Sequence, residues 1–294
     1  MVGQDLQGLT APRRSVAGAL LGPATLAVVL GLLVPLAILF RYSFNRFIPG
    51  RLMVEALTVE NYVKFFTDPY YVAVLLRTVR VSAICMVLCV LAGFPLAYAL
   101  ARTRSRWKSA LVMLVVLPLF VGNAVRAAGW MVMFGSRGLL NTLLGVAGVI
   151  DRPLQLMYTE AAVIVGITAV NLPFMVLTLE SVIEGIDPAI EEAAASLGAR
   201  PLQVFRRVIL PLAMPGVLAG TILVFILGMN AYATPILLGG PRFQMMGPLV
   251  YSQFVQQNNW PFGGAISFIL MIATLILTLA ANLLVQQRYR ATAG

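Results

Sequence analysis

Six long apolar blocks separated by short polar stretches set the pattern of this chain, at about residues 17–40, 73–101, 109–134, 158–183, 212–238 and 264–286. The hydrocarbon core of a membrane is crossed by about 20 apolar residues of helix, so each block predicts one transmembrane helix. An even number of spans places both termini on one side. The expected architecture is an all-α integral membrane protein, with a six-span domain over residues 17–286 between terminal segments 1–16 and 287–294.

Three blocks are interrupted by Gly, Pro or polar residues: "PLFVGNAVRAAGW" (118–130), "NLPF" (171–174) and "GMNAYATP" (228–235). In lipid such residues survive where neighbouring helices or a wet cavity satisfy the freed backbone groups. They serve either close helix packing through small residues or a solute pathway, and a polar residue in each of three spans favours the pathway. Its candidate residues are Asn123, Arg126, Trp130, Asn171, Met229, Asn230 and Tyr232.

One polar stretch, "EEAAASLGARPLQVFRRVILPLAMPG" (191–216), stands apart from the loops. Asp187-Pro188 ahead of it is an N-cap followed by proline at the first helical position. Ile190, Ala193, Ala194 and Leu197 then recur at helical spacing on one face, with Glu191 and Glu192 in the first turn, where the helix dipole favours negative charge. Gly198 is placed to stop this helix in the left-handed conformation. Pro201 opens a second helix with Leu202, Phe205, Val208 and Leu212 on one side and Arg206 and Arg207 elsewhere, and Pro211 and Pro215 mark its junction with the fifth span. The spacing predicts a helix-turn-helix elbow over about residues 187–211. Its small alanines suit docking into a protein groove; resting on the lipid surface is the alternative.

Composition agrees with the pattern. Of 294 residues 60% are hydrophobic and 11% charged, against about 25% charged in soluble domains, which leaves no stretch for a sizeable soluble domain. The net charge of +10 lies at block ends, where Lys and Arg anchor topology and meet anionic lipid; nucleic acid is not an expected partner. Arg102, Arg104, Arg106 and Lys108 after the second span, and Arg200, Arg206 and Arg207 after the fourth, point those loops to the cytoplasm, with Arg13, Arg14, Arg288 and Arg290 at the termini. Arg41, Arg46, Arg51 and Lys64 in the opposing loop 41–71 weaken the bias, beside Glu55, Glu60 and Asp68. The first apolar run is too long for a signal-peptide core and lacks a small-residue cleavage site, so it reads as a retained span.

Catalytic chemistry has little to work with. The chain has no histidine and no G-x-x-x-x-G-K-[ST] phosphate loop, and its carboxylates are scattered. Cys85 and Cys89 sit four apart in an apolar block and read as inert buried residues. No catalytic or metal-binding residues and no cofactor held by this chain are expected. An ion-coupled secondary transporter, the rival from a different class, would ordinarily carry a buried Asp, Glu or His relay.

Glu192-Ala193-Ala194, Gly198 and Leu210-Pro211 resemble the EAA loop of permease subunits of binding-protein-dependent ABC importers: EAA, three residues, Gly, nine residues, Ile, any residue, Leu-Pro, with Val208 in the Ile position. The resemblance implies a type I, MetI-like permease fold whose loop forms a coupling helix inserted into a cytoplasmic ATPase. On it, Glu191, Glu192, Ala193, Ala194, Gly198, Arg206 and Pro211 are the ATPase-coupling candidates. It also implies that the EAA loop and both termini are cytoplasmic, in a bacterial inner membrane. The implied partners are an ABC ATPase dimer holding ATP and Mg, a second homologous permease subunit in a heterodimer, a periplasmic solute-binding protein and the lipid bilayer.

Residues 129–141, 172–188, 195–225 and 258–268 are similar to the spermidine/putrescine-type branch, which implies ATP-driven import of a small polar solute such as a polyamine. A polycation is matched by acids or aromatic faces, yet the spans hold few acids, Glu160 and Glu180 near the ends of the fourth. Arg126 either snorkels to the surface or makes an anion-favouring contact, so an amino acid or derivative, a phosphonate or an iron chelate is the alternative cargo. Trp260 is either an interface anchor or a binding-protein contact, and the aromatic loop "NYVKFFTDPYY" (61–71) is the better docking candidate.

Overall fold

The computed structural model describes residues 13–292, and side chains over 22–283. In chain order it comprises α1 (Arg13–Ser43), a hairpin of β1 (Arg46–Ile48) and β2 (Leu52–Val54), α2 (Glu60–Thr67), α3 (Pro69–Arg102), α4 (Lys108–Val116), α5 (Asn123–Phe134), α6 (Leu139–Val146), α7 (Glu160–Glu184), α8 (Pro188–Ser196), α9 (Pro201–Val204), α10 (Leu210–Met229), α11 (Ala233–Gly239), α12 (Met246–Tyr251) and α13 (Trp260–Thr292). Residues 1–12 and 293–294, and the side chains of Arg13, Arg14, Arg288 and Arg290, lie outside the described residues. The helical backbone of α1 and α13 continues past the predicted limits at 17 and 286.

Among the described residues five helices are long and apolar enough to cross a membrane: Gly22–Ser43, Pro69–Arg102, Glu160–Glu184, Pro201–Met229 and Trp260–Leu283. The expected third span, 109–134, is not a straight helix; Lys108–Phe120 and Asn123–Val146 form a pair bent by 98°. Pro118 tightens the end of α4 into a 3₁₀ turn, and Val121 and Gly122 then leave the helical region at ψ 127° and 144°. The expected fifth span, 212–238, is displaced. Its helix stops at Met229, and α11 starts afresh with Pro235 in its first turn, where proline's missing N–H costs nothing.

The centre of the bundle is α3, α7 and α10, joined at small residues. A Cβ on Gly93 would lie 2.8 Å from Met175 Cγ, and one on Gly220 would lie 2.6 Å from Met175 Sδ. Around these contacts Cys89, Phe94, Val176, Leu179, Ile183 and Ala213 form a buried cluster. Both cysteines are free and buried as expected, Cys85 Sγ donating to Ile164 O at 3.5 Å and Cys89 Sγ to Thr168 O at 3.6 Å. A Cβ on Gly216 would stand 2.9 Å from Val182 Cβ and Cγ2, atoms of a stiff β-branched side chain. Gly216→Ala is therefore expected to destabilise the protein by about 1–3 kcal/mol. Thermal unfolding in detergent should show the drop, and Val182→Ala in the same chain should recover it.

At the end opposite the EAA loop, Phe65, Val74, Met246, Phe262 and Ile266 form a second cluster. α1 leans on α13 there, Phe40 meeting Phe268 edge-on with ring centroids 5.0 Å apart. Three of the four basic residues that oppose the charge rule have local partners. Arg41 Nη1 donates to Asn45 Oδ1 at 2.6 Å, Arg46 Nε to Glu60 Oε2 at 3.0 Å, and Lys64 Nζ sits 4.5 Å from the Phe262 ring centre.

Candidate functional site

The EAA stretch folds as its caps dictate. Asp187 Oδ1 accepts from Ala189 N at 2.9 Å and Pro188 takes the first helical position. At the far end of α8 the N–H of Ala199 donates to Ala194 O at 3.2 Å and that of Gly198 to Ala195 O at 2.9 Å, the paired bonds of a Schellman stop. Gly198 has φ +85° with no atom within 4 Å of where a Cβ would be, so backbone conformation, not space, demands glycine.

The junction expected at Pro211 and Pro215 is not a break: beyond the Gly198 turn, Pro201 to Met229 runs as one helical segment. A π turn at Phe205–Ile209, closed by Leu210 N–H to Phe205 O, widens the helix just before Pro211. The wider turn accommodates a ring that would otherwise crowd the carbonyl four residues back. The same turn breaks the expected stripe. Val204 and Ile209 are buried, Phe205 packs edge-on to Phe94 at 5.1 Å, and Leu202 and Leu212 are exposed.

The outward face of the joint carries Glu192, Ala193, Gly198, Arg206 and Pro211, together with Ile190, Leu197 (90% exposed) and Leu202. Leu202, Gln203, Arg206 and Arg207 line a shallow pocket on it. Ala194 packs half-buried against the core, and Glu191 turns inward to Tyr98 and Arg102. The seven coupling candidates thus divide into an outward set and an inward pair.

The pathway candidates do not all meet. Asn230 and Tyr232, in the break between α10 and α11, line a cavity of about 720 Å³ with Tyr251, Ser267, Met271 and Thr274, and none of its lining residues is charged. The Tyr232 and Tyr251 rings are 4.8 Å apart. α12 comes so close that a Cβ on Gly247 would be 2.4 Å from Ala231 O, so this glycine holds the broken segment in place. Met229 is a correction: one residue before the break its side chain points into the core beside Phe65 and Phe262 and is 0% exposed.

Asn171 is buried in α7, which is covered by α3 and α10, and its Nδ2 has no hydrogen-bond partner among the described residues. On α5, Arg126 donates to Asn123 Oδ1 while its Nε and Nη1 have no such partner among the described residues. Trp130 packs beside Phe134, ring centres 5.0 Å apart. None of Asn123, Arg126, Trp130 or Asn171 lines the groove.

Sequence reasoning missed Tyr251, Ser267 and Thr274. Ser267, Leu270, Met271, Thr274 and Thr278 follow helical spacing on one face of α13, a polar interruption that hydropathy averages hide. Glu160 and Glu180 are engaged elsewhere. Arg80 Nη2 donates to both Glu160 oxygens at 2.7 and 2.6 Å, and Lys108 Nζ lies 4.0 Å from Glu180 and 2.8 Å from Glu184. In the aromatic loop Phe65 is core, while Phe66 (63%) and Tyr70 (50%) are exposed. Trp260 is half-exposed against Phe254 at 5.3 Å.

An apolar multi-pass bundle, with a broken helix beside an uncharged groove and a capped amphipathic joint held out at one end, is the arrangement of a membrane permease. Residues 84–291 match the binding-protein-dependent transport system inner membrane component family, and the chain belongs to it. It is a permease subunit of an ABC importer.

Curated relatives include the spermidine/putrescine transport system permease protein PotB of Haemophilus influenzae, 38% identical over 79% of this chain and 82% of that protein. PotB of Escherichia coli is 37% identical over 76% and 80%, and the molybdenum transport system permease protein ModB of Mycobacterium tuberculosis is 32% identical over 80% and 89%. Among solved structures, a bacterial alginate ABC transporter in complex with an alginate pentasaccharide-bound periplasmic protein superposes with TM-score 0.74 at 18% identity, covering 94% of this chain and 96% of that one. The MetNI methionine ABC transporter gives TM-score 0.58 at 19% identity over 75% and 98%. The fold is therefore that of type I importer permeases, six-span when the bent pair is counted as one.

Proposed function

We propose that this subunit imports a polyamine of the spermidine/putrescine class across the bacterial inner membrane, receiving it from a periplasmic binding protein. The similarity to the two PotB permeases over more than three quarters of the chain carries the cargo reading. An uncharged groove with two tyrosine rings is compatible with it, because ring faces attract ammonium groups and the binding protein contributes much of the selectivity. A homologous permease subunit completes the pathway as a heterodimer, and ATP with Mg is bound and hydrolysed by a separate ATPase dimer, so this chain has no enzymatic activity of its own. Both termini and α8 face the cytoplasm.

Alternating access follows. ATP binding closes the ATPase dimer and pushes on the outward face of α8. The push passes through the Gly198 turn into α9 and α10, and the groove at Asn230 and Tyr232 opens outward; hydrolysis resets it inward. A second reading, an anionic or zwitterionic solute, is favoured by the two Arg126 guanidinium nitrogens that lack a hydrogen-bond partner among the described residues. Calorimetry on the cognate binding protein with polyamines, amino acids, molybdate and a phosphonate separates the two. Spermidine or putrescine is expected to bind most tightly and to be the competitor that blocks uptake; tight binding of an anion with no polyamine response would overturn the cargo assignment.

A further inference from the structure

Glu191 and Glu192 are neighbours in sequence, yet helical geometry turns adjacent side chains about 100° apart, and the fold uses them differently. Glu192 is exposed on the outward face. The Glu191 carboxylate collects three donor contacts: Oε1 accepts from Arg102 Nε at 2.8 Å and Nη2 at 2.5 Å, and Oε2 accepts the Tyr98 phenol at 2.8 Å. Both charged side chains are largely buried, 18% exposed for Arg102 and 15% for Glu191, so solvent screens them far less than a surface pair.

Tyr98 and Arg102 stand four apart on the last turns of α3, one above the other on the same face. On α8, Ala194 packs half-buried against the core and Glu191 reaches Tyr98 and Arg102. A force on α8 therefore reaches α3 across this linkage, besides passing along the chain through the Gly198 turn. α3 in turn touches the end of the pathway helix, since a Cβ on Gly228 would lie 3.1 Å from Ser82 Cβ and Oγ, two residues before Asn230.

We infer that Tyr98, Arg102 and Glu191 form a positioning clamp that transmits displacement of α8 to α3, a role separate from the ATPase contact made by the outward face. The inference rests on α8 being the ATPase-coupling helix. It predicts that breaking the clamp wastes ATP without detaching the ATPase. The Lys108–Glu184 ion pair at the same end joins α4 to α7 and does not touch α8, so it serves as the control.

The test uses the complete transporter, with its ATPase, partner permease and binding protein, in proteoliposomes, and reads solute imported per ATP hydrolysed. Arg102→Ala and Glu191→Gln are expected to retain the ATPase subunit while that ratio falls about ten-fold, the scale of losing a charge-assisted hydrogen bond. Tyr98→Phe should lower it about two- to three-fold, Lys108→Ala should leave it unchanged, and the exchange of Arg102→Glu with Glu191→Arg should recover part of it. Wild-type ratios in both Arg102→Ala and Glu191→Gln would overturn the clamp. Should those variants fail to assemble, the near-isosteric Tyr98→Phe decides, and an unchanged ratio there overturns it equally. Glu192→Lys keeps the two ideas distinguishable: releasing the ATPase supports α8 as the coupling helix, whereas full ATPase retention with full uptake would remove that premise, whatever the clamp variants do.

Discussion

Gly198→Val is expected to lower uptake at least ten-fold and to strip the ATPase from the purified complex. At φ +85° an L-residue presses its Cβ against its own carbonyl, at about 1–2 kcal/mol for an ordinary side chain and more for a β-branched one. The chain escapes by rotating φ, which breaks the two bonds that close α8, Ala199 N to Ala194 O and Gly198 N to Ala195 O. Without them the outward face of α8 has no defined angle to α9. Gly198→Asn separates conformation from side-chain volume, because asparagine visits the left-handed region more readily than other residues. It should retain most of the uptake, as measured beside ATPase co-purification. Equal activity of the valine variant and the wild type would mean that the turn is not part of the joint.

Asn230→Leu combined with Tyr232→Ala should reduce transport by more than ten-fold while the complex stays assembled. Asn230 Nδ2 already donates to Ile226 O at 2.9 Å, leaving Oδ1 and a second N–H available to a solute in the groove. Tyr232 offers a ring face held by its 4.8 Å contact with Tyr251. For an ammonium group such a face contributes about 0.5–2 kcal/mol. Leucine removes the polar partner and alanine the ring, and neither fills space needed by the core, since both residues are exposed to the cavity. The readouts are solute uptake and solute-stimulated ATP hydrolysis. Tyr232→Phe, which keeps the face and loses the hydroxyl, should transport a polyamine nearly as well as the wild type. Wild-type behaviour of the double variant would exclude these residues from the route.

Much of this was legible before folding was considered, where the signal is local. An apolar block of about 20 residues is a span whatever its neighbours do. Asp187-Pro188 starts a helix and Gly198 stops one because the first turn and the left-handed stop impose demands that few residue types meet. The placement of Asn230 and Tyr232 at a break was readable from the polar residues interrupting an apolar run. The bounds of the third and fifth spans, and the size of the bend in the third, were not legible for the opposite reason. Hydropathy counts apolar residues and is blind to direction, so the 98° bend near Gly122 and the restart at Ala233 left the apolar sum unchanged. That the helix passes through the junction expected at Pro211 was not legible, because a proline reports a missing N–H, not how the helix around it accommodates that loss.

The residues alone determined a multi-pass membrane subunit with a capped amphipathic joint, because length, apolarity and capping are properties of short segments. Which side chains share a site was decided by packing. Met229 and Asn230 are adjacent, yet one is core and the other lines the groove, since the helix ends between them. Glu191 and Glu192 carry the same charge and helix propensity, and only the arrival of Tyr98 and Arg102, about ninety residues earlier in the chain, turns one of them inward.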